Sequence, residues 1–257
     1  MKVVILAGGF GTRLLEHTTV VPKPMVEIGH QPILMHICDT FLKYKYNDFV
    51  IAAGYKQEYI KNYFLNYSEL NSDFEIDYNK NKKKILSRKT INFKVKIINT
   101  GLNTMTGGRL LRLKKYFKKN ENFILTYGDS LANINIKELI KYHDSHKKLV
   151  TITAVRPPAR FGLMDIGSNS QVKQFKEKVQ FKHGWINGGY MVINSNFFDY
   201  IDNDDTYLER EPLERVSKEG QLMAYKHEKF WHCMDTQRDK ENLEKLCQEN
   251  LTNPWLD

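Results

Sequence analysis

Cysteine is scarce: three of 257 residues, Cys38, Cys233 and Cys247, odd in number and scattered along the chain. That excludes a disulfide framework and the short paired spacing of a zinc site, and the thiols read as reduced bystanders. No apolar run approaches the ~20 residues of a membrane helix, and Lys2 precedes only a strand-length run, too short for a signal-peptide core. A soluble, cytoplasmic chain with no membrane partner is therefore expected. No histidine stands in a Ser-His-Asp or Cys-His arrangement, and His143 and His146 share one segment without a further ligand nearby, as surface or packing residues do. No GK[ST] triplet occurs, which excludes a P-loop, and Leu14 stands where the third glycine of a dinucleotide fingerprint would fall. A nicotinamide-dependent oxidoreductase is disfavoured on that spacing.

Acidic residues are absent from positions 80 to 96, where Lys80, Lys82, Lys83, Lys84, Arg88, Lys89, Lys94 and Lys96 hold most of a net charge of +9. The rest of the chain is nearly balanced. A basic face for nucleic acid is not expected, and the cluster reads as an exposed hairpin or loop, with a subunit contact or an anionic-ligand edge as the other options. With 41% apolar and 12% aromatic residues, the chain can bury one large α/β core.

What is present begins at the N-terminus. Val3, Val4, Ile5 and Leu6 form the continuous apolar run of a buried parallel strand, and Gly8, Gly9 and Gly11 follow at once. Such glycines let backbone N–H groups approach a ligand. Arg13, and Lys23 within Pro22-Lys23-Pro24-Met25, place positive charge beside that turn, as a triphosphate requires. The segment from Leu6, Ala7, Gly8, Gly9, Phe10, Gly11 and Thr12 to Arg13 is thus a candidate phosphate cradle.

Apolar strands alternate with helical patterns at 33–42, 49–52, 58–65, 110–117 and 123–126. This order predicts right-handed crossovers and a Rossmann-like, mostly parallel mixed sheet flanked by helices. After about residue 150, short β-like runs at 150–155, 163–166, 172–175 and 189–193 are broken by proline and glycine, and helices are expected near 211–219 and 238–249. These runs read as a small antiparallel lid layer packed on the parallel sheet. The expectation is a single domain over 1–257, with halves meeting near residue 150.

Ligands in such sheets sit beyond the carboxyl ends of the strands. Asp129, in Tyr127-Gly128-Asp129, and Asp235, after Met234, both follow β-like runs and are the best candidates for a magnesium ion, which takes carboxylate oxygens. An aspartate after glycine is also a common turn residue. Glu177 and Asn187 are of the types that meet sugar hydroxyls and Lys178 of the type that meets a phosphate, although Glu-Lys pairs also occur as solvated surface.

Taken together, LAGGFGTRL at 6–14, PKPMVEIG at 22–29, TGLNTMTGGRL at 100–110, TYGD at 126–129, RFG at 160–162, WINGGY at 185–190, EREPLE at 209–214 and MDTQRD at 234–239 resemble the sugar-1-phosphate nucleotidylyltransferases, over nearly the whole chain. The later motifs point to the branch that transfers a cytidylyl group from CTP to glucose 1-phosphate. The resemblance implies that the 6–13 turn, Lys23, Thr104, Arg109 and Gly128 meet the nucleotide and that Asp129 and Asp235 hold Mg2+. Lys178 would meet the sugar phosphate, with Glu177, Asn187 and Gly162 towards the hexose, which makes the lid layer sugar-binding. Arg13, Lys23 and Lys178 would be the catalytic cations. It further implies a homo-oligomer, with a hexamer as one option, and a product used in surface-polysaccharide (dideoxyhexose) synthesis. Ser130, Val179 and the stretch Leu15-Glu16-His17 depart from the family pattern without removing a catalytic group. Another nucleotide or another phosphorylated acceptor is the alternative.

Overall fold

A computed structural model describes residues 1–88, 92–157, 163–166, 168, 170–176 and 184–257. In chain order the first half holds β1 (Val3–Ala7), α1 (Leu15–Thr18), β2 (Glu27–Ile28), β3 (Gln31–Pro32), α2 (Ile33–Leu42), β4 (Asp48–Ala53), α3 (Gln57–Leu65), α4 (Tyr67–Leu70), β5 (Ser72–Asp77), β6 (Lys82–Arg88), β7 (Lys94–Asn99), α5 (Thr106–Leu111), β8 (Asn122–Tyr127), β9 (Ser130–Ala132) and α6 (Ile136–His146). The second half continues with β10 (Val150–Val155), β11 (Leu163–Ile166), β12 (Val172–Lys176), β13 (Ile186–Asn194), α7 (Glu211–Lys218), β14 (Leu222–His227), β15 (Trp231–Cys233) and α8 (Gln237–Glu249).

The main sheet has seven strands in the order β14, β10, β13, β8, β1, β4, β7. All run the same way except β13, which is antiparallel to both β8 and β10. The mostly parallel mixed sheet expected from the strand–helix alternation is therefore present. Its central strand β1 is fully apolar because both faces are covered: Val3, Ile5 and Ala7 join one core with α2 residues such as Ile33 and Phe41, while Val4 and Leu6 join a second core with Leu110 and Val216.

Two expectations need correcting. The runs at 150–155 and 189–193 do not form a separate layer; as β10 and β13 they extend the main sheet across position 150, and only the β11–β12 hairpin remains a small antiparallel pair beside it. An apolar run gives no strand direction, which is set by the connection that follows it. The helix expected at 110–117 instead begins at Thr106 and ends at Leu111, with a 3-10 turn at Lys114–Tyr116. Gly107 and Gly108 argue against a helix by propensity alone, yet a Cβ on Gly108 would stand 2.4 Å from the Asp204 carbonyl oxygen, so this close packing needs glycine.

The basic stretch divides between elements. Lys82–Arg88 forms β6, paired antiparallel with the acidic β5 so that Glu75 faces Lys84 and Asp77 faces Lys82. Lys94 and Lys96 lie in the edge strand β7, with Lys96 3.7 Å from Asp48, while Lys83 meets Glu69 at 3.2 Å. Lys89 lies outside the described residues.

In α6, Ile136, Leu139, Ile140 and His143 form one buried stripe at helical spacing, behind an N-cap in which Asn135 accepts from the Glu138 amide. His143 is thus a packing residue: it and His146 both lie 2.8 Å from the Thr151 hydroxyl, and burial, with the nearby His146, pulls its pKa down to about 4. No helix among the described residues is long and apolar enough to cross a membrane.

Candidate active site

The carboxyl ends of three neighbouring strands come level, since Leu6 of β1 pairs with Ala52 of β4 on one side and Tyr127 of β8 on the other. The chain then leaves β1 through the glycine turn. Gly11 adopts φ +66°, which only glycine takes without strain, and a Cβ there would also press to 2.8 Å of the Thr18 methyl. Thr18 fixes the turn by donating its hydroxyl to the Gly11 carbonyl at 3.1 Å. Gly9 differs: among the described residues nothing lies within 4 Å of where its Cβ would stand.

A cavity of about 410 Å³ opens over this turn, within the range of small-ligand pockets. Around it the structure brings together all of Leu6 to Arg13 with Lys23, Thr104, Arg109, Gly128 and Asp129. Gly128 is tied in by its amide, which donates to the Leu6 carbonyl at 2.9 Å. Arg109 is buried, and its guanidinium donates to the Thr100 hydroxyl at 2.9 Å, the Gly101 carbonyl at 2.6 Å and the Leu102 carbonyl at 3.1 Å. These bonds fasten the loop that carries Thr104. Burial, and then the neighbouring Arg112 charge, lower its pKa.

At one side of the cavity stand two cations and two carboxylates. Lys23 opens a short 3-10 turn set by Pro22 and Pro24, and its buried ammonium donates to Asp129 at 2.7 Å and Asp235 at 2.6 Å. Arg13 donates to the second oxygen of Asp235 at 2.8 Å. Burial pulls the Lys23 pKa down, but the Asp129 charge and the hydrogen bonds to both carboxylates outweigh it, and the ammonium titrates above its ordinary value.

The two aspartates, far apart in sequence, meet because β15 pairs antiparallel with β9. Cys233 faces Ser130 in that register, and the Met234 amide donates to the Asp129 carbonyl at 2.8 Å. Ser130, where the family pattern has glycine, sits in regular strand pairing and leaves Asp129 in place. Just beyond Asp235, Thr236 and Asp239 form a capping box at the start of α8, and Asp239 also accepts from the Asp235 amide at 3.1 Å. The carboxylates are therefore held by backbone on both sides.

Asp129, Asp235 and the Cys233 sulfur offer ligand atoms within 4.8 Å of one another. Burial, followed by the Asp129 charge, pushes the Cys233 thiol above its usual pKa. The pair of hard carboxylate oxygens suits a hard divalent cation.

Asn187, on β13, accepts from the Gly189 amide at 2.8 Å and hydrogen-bonds Tyr127, whose pKa is raised by burial and by Glu209. Gly162, Glu177, Lys178 and Val179 lie outside the described residues. Among the wall residues that carried no site expectation from the sequence are Tyr127, Tyr207 and Glu209. Glu209 accepts from the Tyr127 hydroxyl at 2.5 Å and the Thr106 hydroxyl at 2.6 Å, joining the end of β8 to the start of α5. Tyr127 and Glu209 do fall inside the TYGD and EREPLE motifs, which was the available signal.

The nucleotidyl transferase family matches residues 2–251. The chain is 46% identical over 255 residues to the glucose-1-phosphate cytidylyltransferase of Salmonella typhimurium, covering 99% of this chain and 98% of that one. It is 30% identical to the mannose-1-phosphate guanyltransferase of Saccharomyces cerevisiae, covering 95% of this chain and 63% of the relative. Among solved structures, HddC from Yersinia pseudotuberculosis superposes with a TM-score of 0.69 at 25% identity, covering 96% of this chain and 98% of that one.

Proposed function

We propose, for a chain that belongs to the nucleotidyl transferase family, transfer of a cytidylyl group from CTP to α-D-glucose 1-phosphate with release of pyrophosphate. The observation that carries the reaction type is that Arg13, Lys23 and Asp129 line a cavity over a glycine turn, with Asp235 bonded to both cations behind them. The full-length likeness to a cytidylyltransferase supports this nucleotide and this sugar, since the more distant guanyltransferase shares the family with a different base and hexose.

An oxygen of the sugar phosphate forms a bond to the α-phosphorus, and the bond from that phosphorus to the bridging oxygen breaks, its electron pair leaving with pyrophosphate. The attacking oxygen is already anionic at neutral pH because a phosphate monoester has its second pKa near ~6, so no general base is needed. What the protein must supply is positioning and charge neutralisation. We assign Asp129 and Asp235 to Mg2+, which when bound neutralises and polarises the phosphates. The backbone of 8–11 cradles the triphosphate, Lys23 and Arg13 oppose its charge, and Thr104, held by the Arg109-braced loop, faces the nucleoside. On the resemblance, Lys178 takes the sugar phosphate, with Glu177, Asn187 and Gly162 towards the hexose, so that the halves before and after about residue 150 divide nucleotide from sugar.

Pyrophosphate release with CTP, UTP, dTTP and GTP, each against glucose, galactose and mannose 1-phosphates, tests the substrates. CTP with glucose 1-phosphate is expected to give the highest kcat/KM by at least about 100-fold over mismatched bases; a better pair elsewhere would overturn the named substrates and leave nucleotidyl transfer standing.

We also assign the β5–β6 hairpin to a contact between copies of this chain, because Phe74, Ile76, Tyr78 and Leu86 are exposed on it together. Sedimentation of a variant with 72–88 replaced by a short glycine-serine turn should drop to the mass of one chain; an unchanged mass excludes the hairpin as the contact.

A further inference from the structure

Packing leaves one atom of His143 unexplained. The Lys148 amide donates to His146 Nδ1 at 3.0 Å, so that nitrogen carries no proton and the ring is neutral with its proton on Nε2. His146 Nε2 therefore donates to the Thr151 hydroxyl at 2.8 Å. Thr151 is fully buried, and its own proton has one acceptor among the described residues, His143 Nδ1 at 2.8 Å. His143 is neutral as well, because burial and the nearby His146 pull its pKa down to about 4. Its proton is then on Nε2, where no described residue accepts it although His143 is only 2% exposed. His143 lines a cavity of about 280 Å³ at the end of α6, close to the lower end of small-ligand pockets, and this N–H is what it has left to offer there.

The remaining lining fixes the kind of ligand. Lys147 and Lys148 bring two ammonium groups that form no ion pair among the described residues, against one carboxylate, Asp144. The lysines also offset the partial negative charge at the α6 C-terminus, but that role does not call for a buried imidazole whose N–H is set by a chain of three hydrogen bonds. Asn122 accepts from the Asn194 side chain at 2.8 Å, which leaves its own NH2 without a partner among the described residues, and Asn196 gives its NH2 to Asn120 at 2.6 Å, which leaves its side-chain oxygen. Two ammonium groups and a fixed imidazole N–H suit phosphoryl oxygens, and an amide donor with an amide acceptor suits hydroxyls. We propose that this cavity is a second binding site and that it takes a phosphomonoester on a hydroxylated carrier, a sugar phosphate. None of its lining residues lines the cavity over the glycine turn. Asn122 opens β8 and Tyr127 closes it, so the two sites stand at opposite ends of that strand, about 16 Å apart at the usual rise per residue, and the ligand held here does not compete with CTP.

Nuclear magnetic resonance of the full chain labelled with 15N at histidine tests this without turnover. Without ligand, His143 should show a neutral ring protonated at Nε2; a proton on Nδ1 instead overturns the donor and the site with it. Glucose 6-phosphate should move that Nε2–H resonance saturably, with a dissociation constant of about 1 mM or tighter, and CTP should leave the response in place. A response abolished by CTP puts the binding in the cavity over the glycine turn and overturns a second site. Glucose should leave the resonance unmoved and inorganic phosphate should move it with weaker affinity; an equal response to glucose, or equal affinity for inorganic phosphate, overturns a sugar phosphate as the ligand. Lys147→Gln with Lys148→Gln should weaken glucose 6-phosphate by about tenfold or more, as the loss of two charge-assisted contacts implies, while the melting temperature and pyrophosphate release from CTP and glucose 1-phosphate stay unchanged. An unmoved resonance at about 10 mM glucose 6-phosphate, or the same affinity in the double variant, overturns the site and leaves the reaction proposed above untouched.

Discussion

Asp129→Ala is expected to lower turnover by about 10³-fold or more at every magnesium concentration while the chain stays folded. Losing a cation that stabilises developing phosphate charge removes several kcal/mol of barrier lowering, and about 4 kcal/mol corresponds to that factor. Folding should change little, because Lys23 keeps its 2.6 Å bond to Asp235 and is not left as an unpaired buried charge. Pyrophosphate release across a magnesium titration, with a melting curve alongside, checks both halves. Residual activity within tenfold of the unsubstituted chain at saturating magnesium would remove Asp129 from the cation site.

Gly54→Ala is expected to destabilise the fold by about 1–3 kcal/mol, the usual cost of overpacking, and to weaken nucleotide binding with it. A Cβ there would stand 2.3 Å from the Arg109 guanidinium, 2.6 Å from the Gly101 carbonyl oxygen and 2.7 Å from the Gly8 carbonyl oxygen. Two of these three neighbours are backbone, from the loops after β1 and β7, and the third is the arginine that braces the second loop. None can yield without moving the cradle. Gly9→Ala is the matched control, since among the described residues nothing surrounds its Cβ position: it should keep its stability and lose affinity only where the side chain meets the nucleotide. Denaturant titration and CTP binding on both variants separate the effects, and a Gly54→Ala chain as stable as the original would show that the junction has slack.

Much of this was legible in the chain. The β1 run could be read because a strand covered on both faces must be apolar throughout, and the glycine turn because few other arrangements follow such a strand with so little side chain. Arg13 and Lys23 stood out by charge next to that turn. Asp129 and Asp235 were found as residues following strands, but their meeting depends on the β9–β15 register, a pairing of three residues each that no periodicity marks. The wall formed by Glu209 and Tyr127 was hidden for a related reason: a carboxylate and a phenol 82 residues apart reveal nothing until the chain closes. Arg109 lines the cavity, and its three loop-directed hydrogen bonds follow from close backbone approach, which residue type does not encode. The α5 boundary was misread because two glycines lower helix propensity while close packing against Asp204 demands them. The basic stretch stood out by composition, whereas its acidic partners on β5 and at Glu69 and Asp48 became visible only through pairing.

The short β9–β15 pairing also bears on the order in which the protein becomes competent during synthesis. Chains are made from the N-terminus and tend to fold as they emerge. A nascent chain released as far as residue 200 already contains the glycine turn, Lys23 and Asp129, and has nothing to lay beside β9. Until Trp231–Cys233 emerges and docks there, the proposed phosphate cradle is present but only one of the two carboxylates assigned to the cation is in place. On the proposed assignment, chemical competence thus waits for β15, and a product truncated before it is expected to grip nucleotide without consuming it.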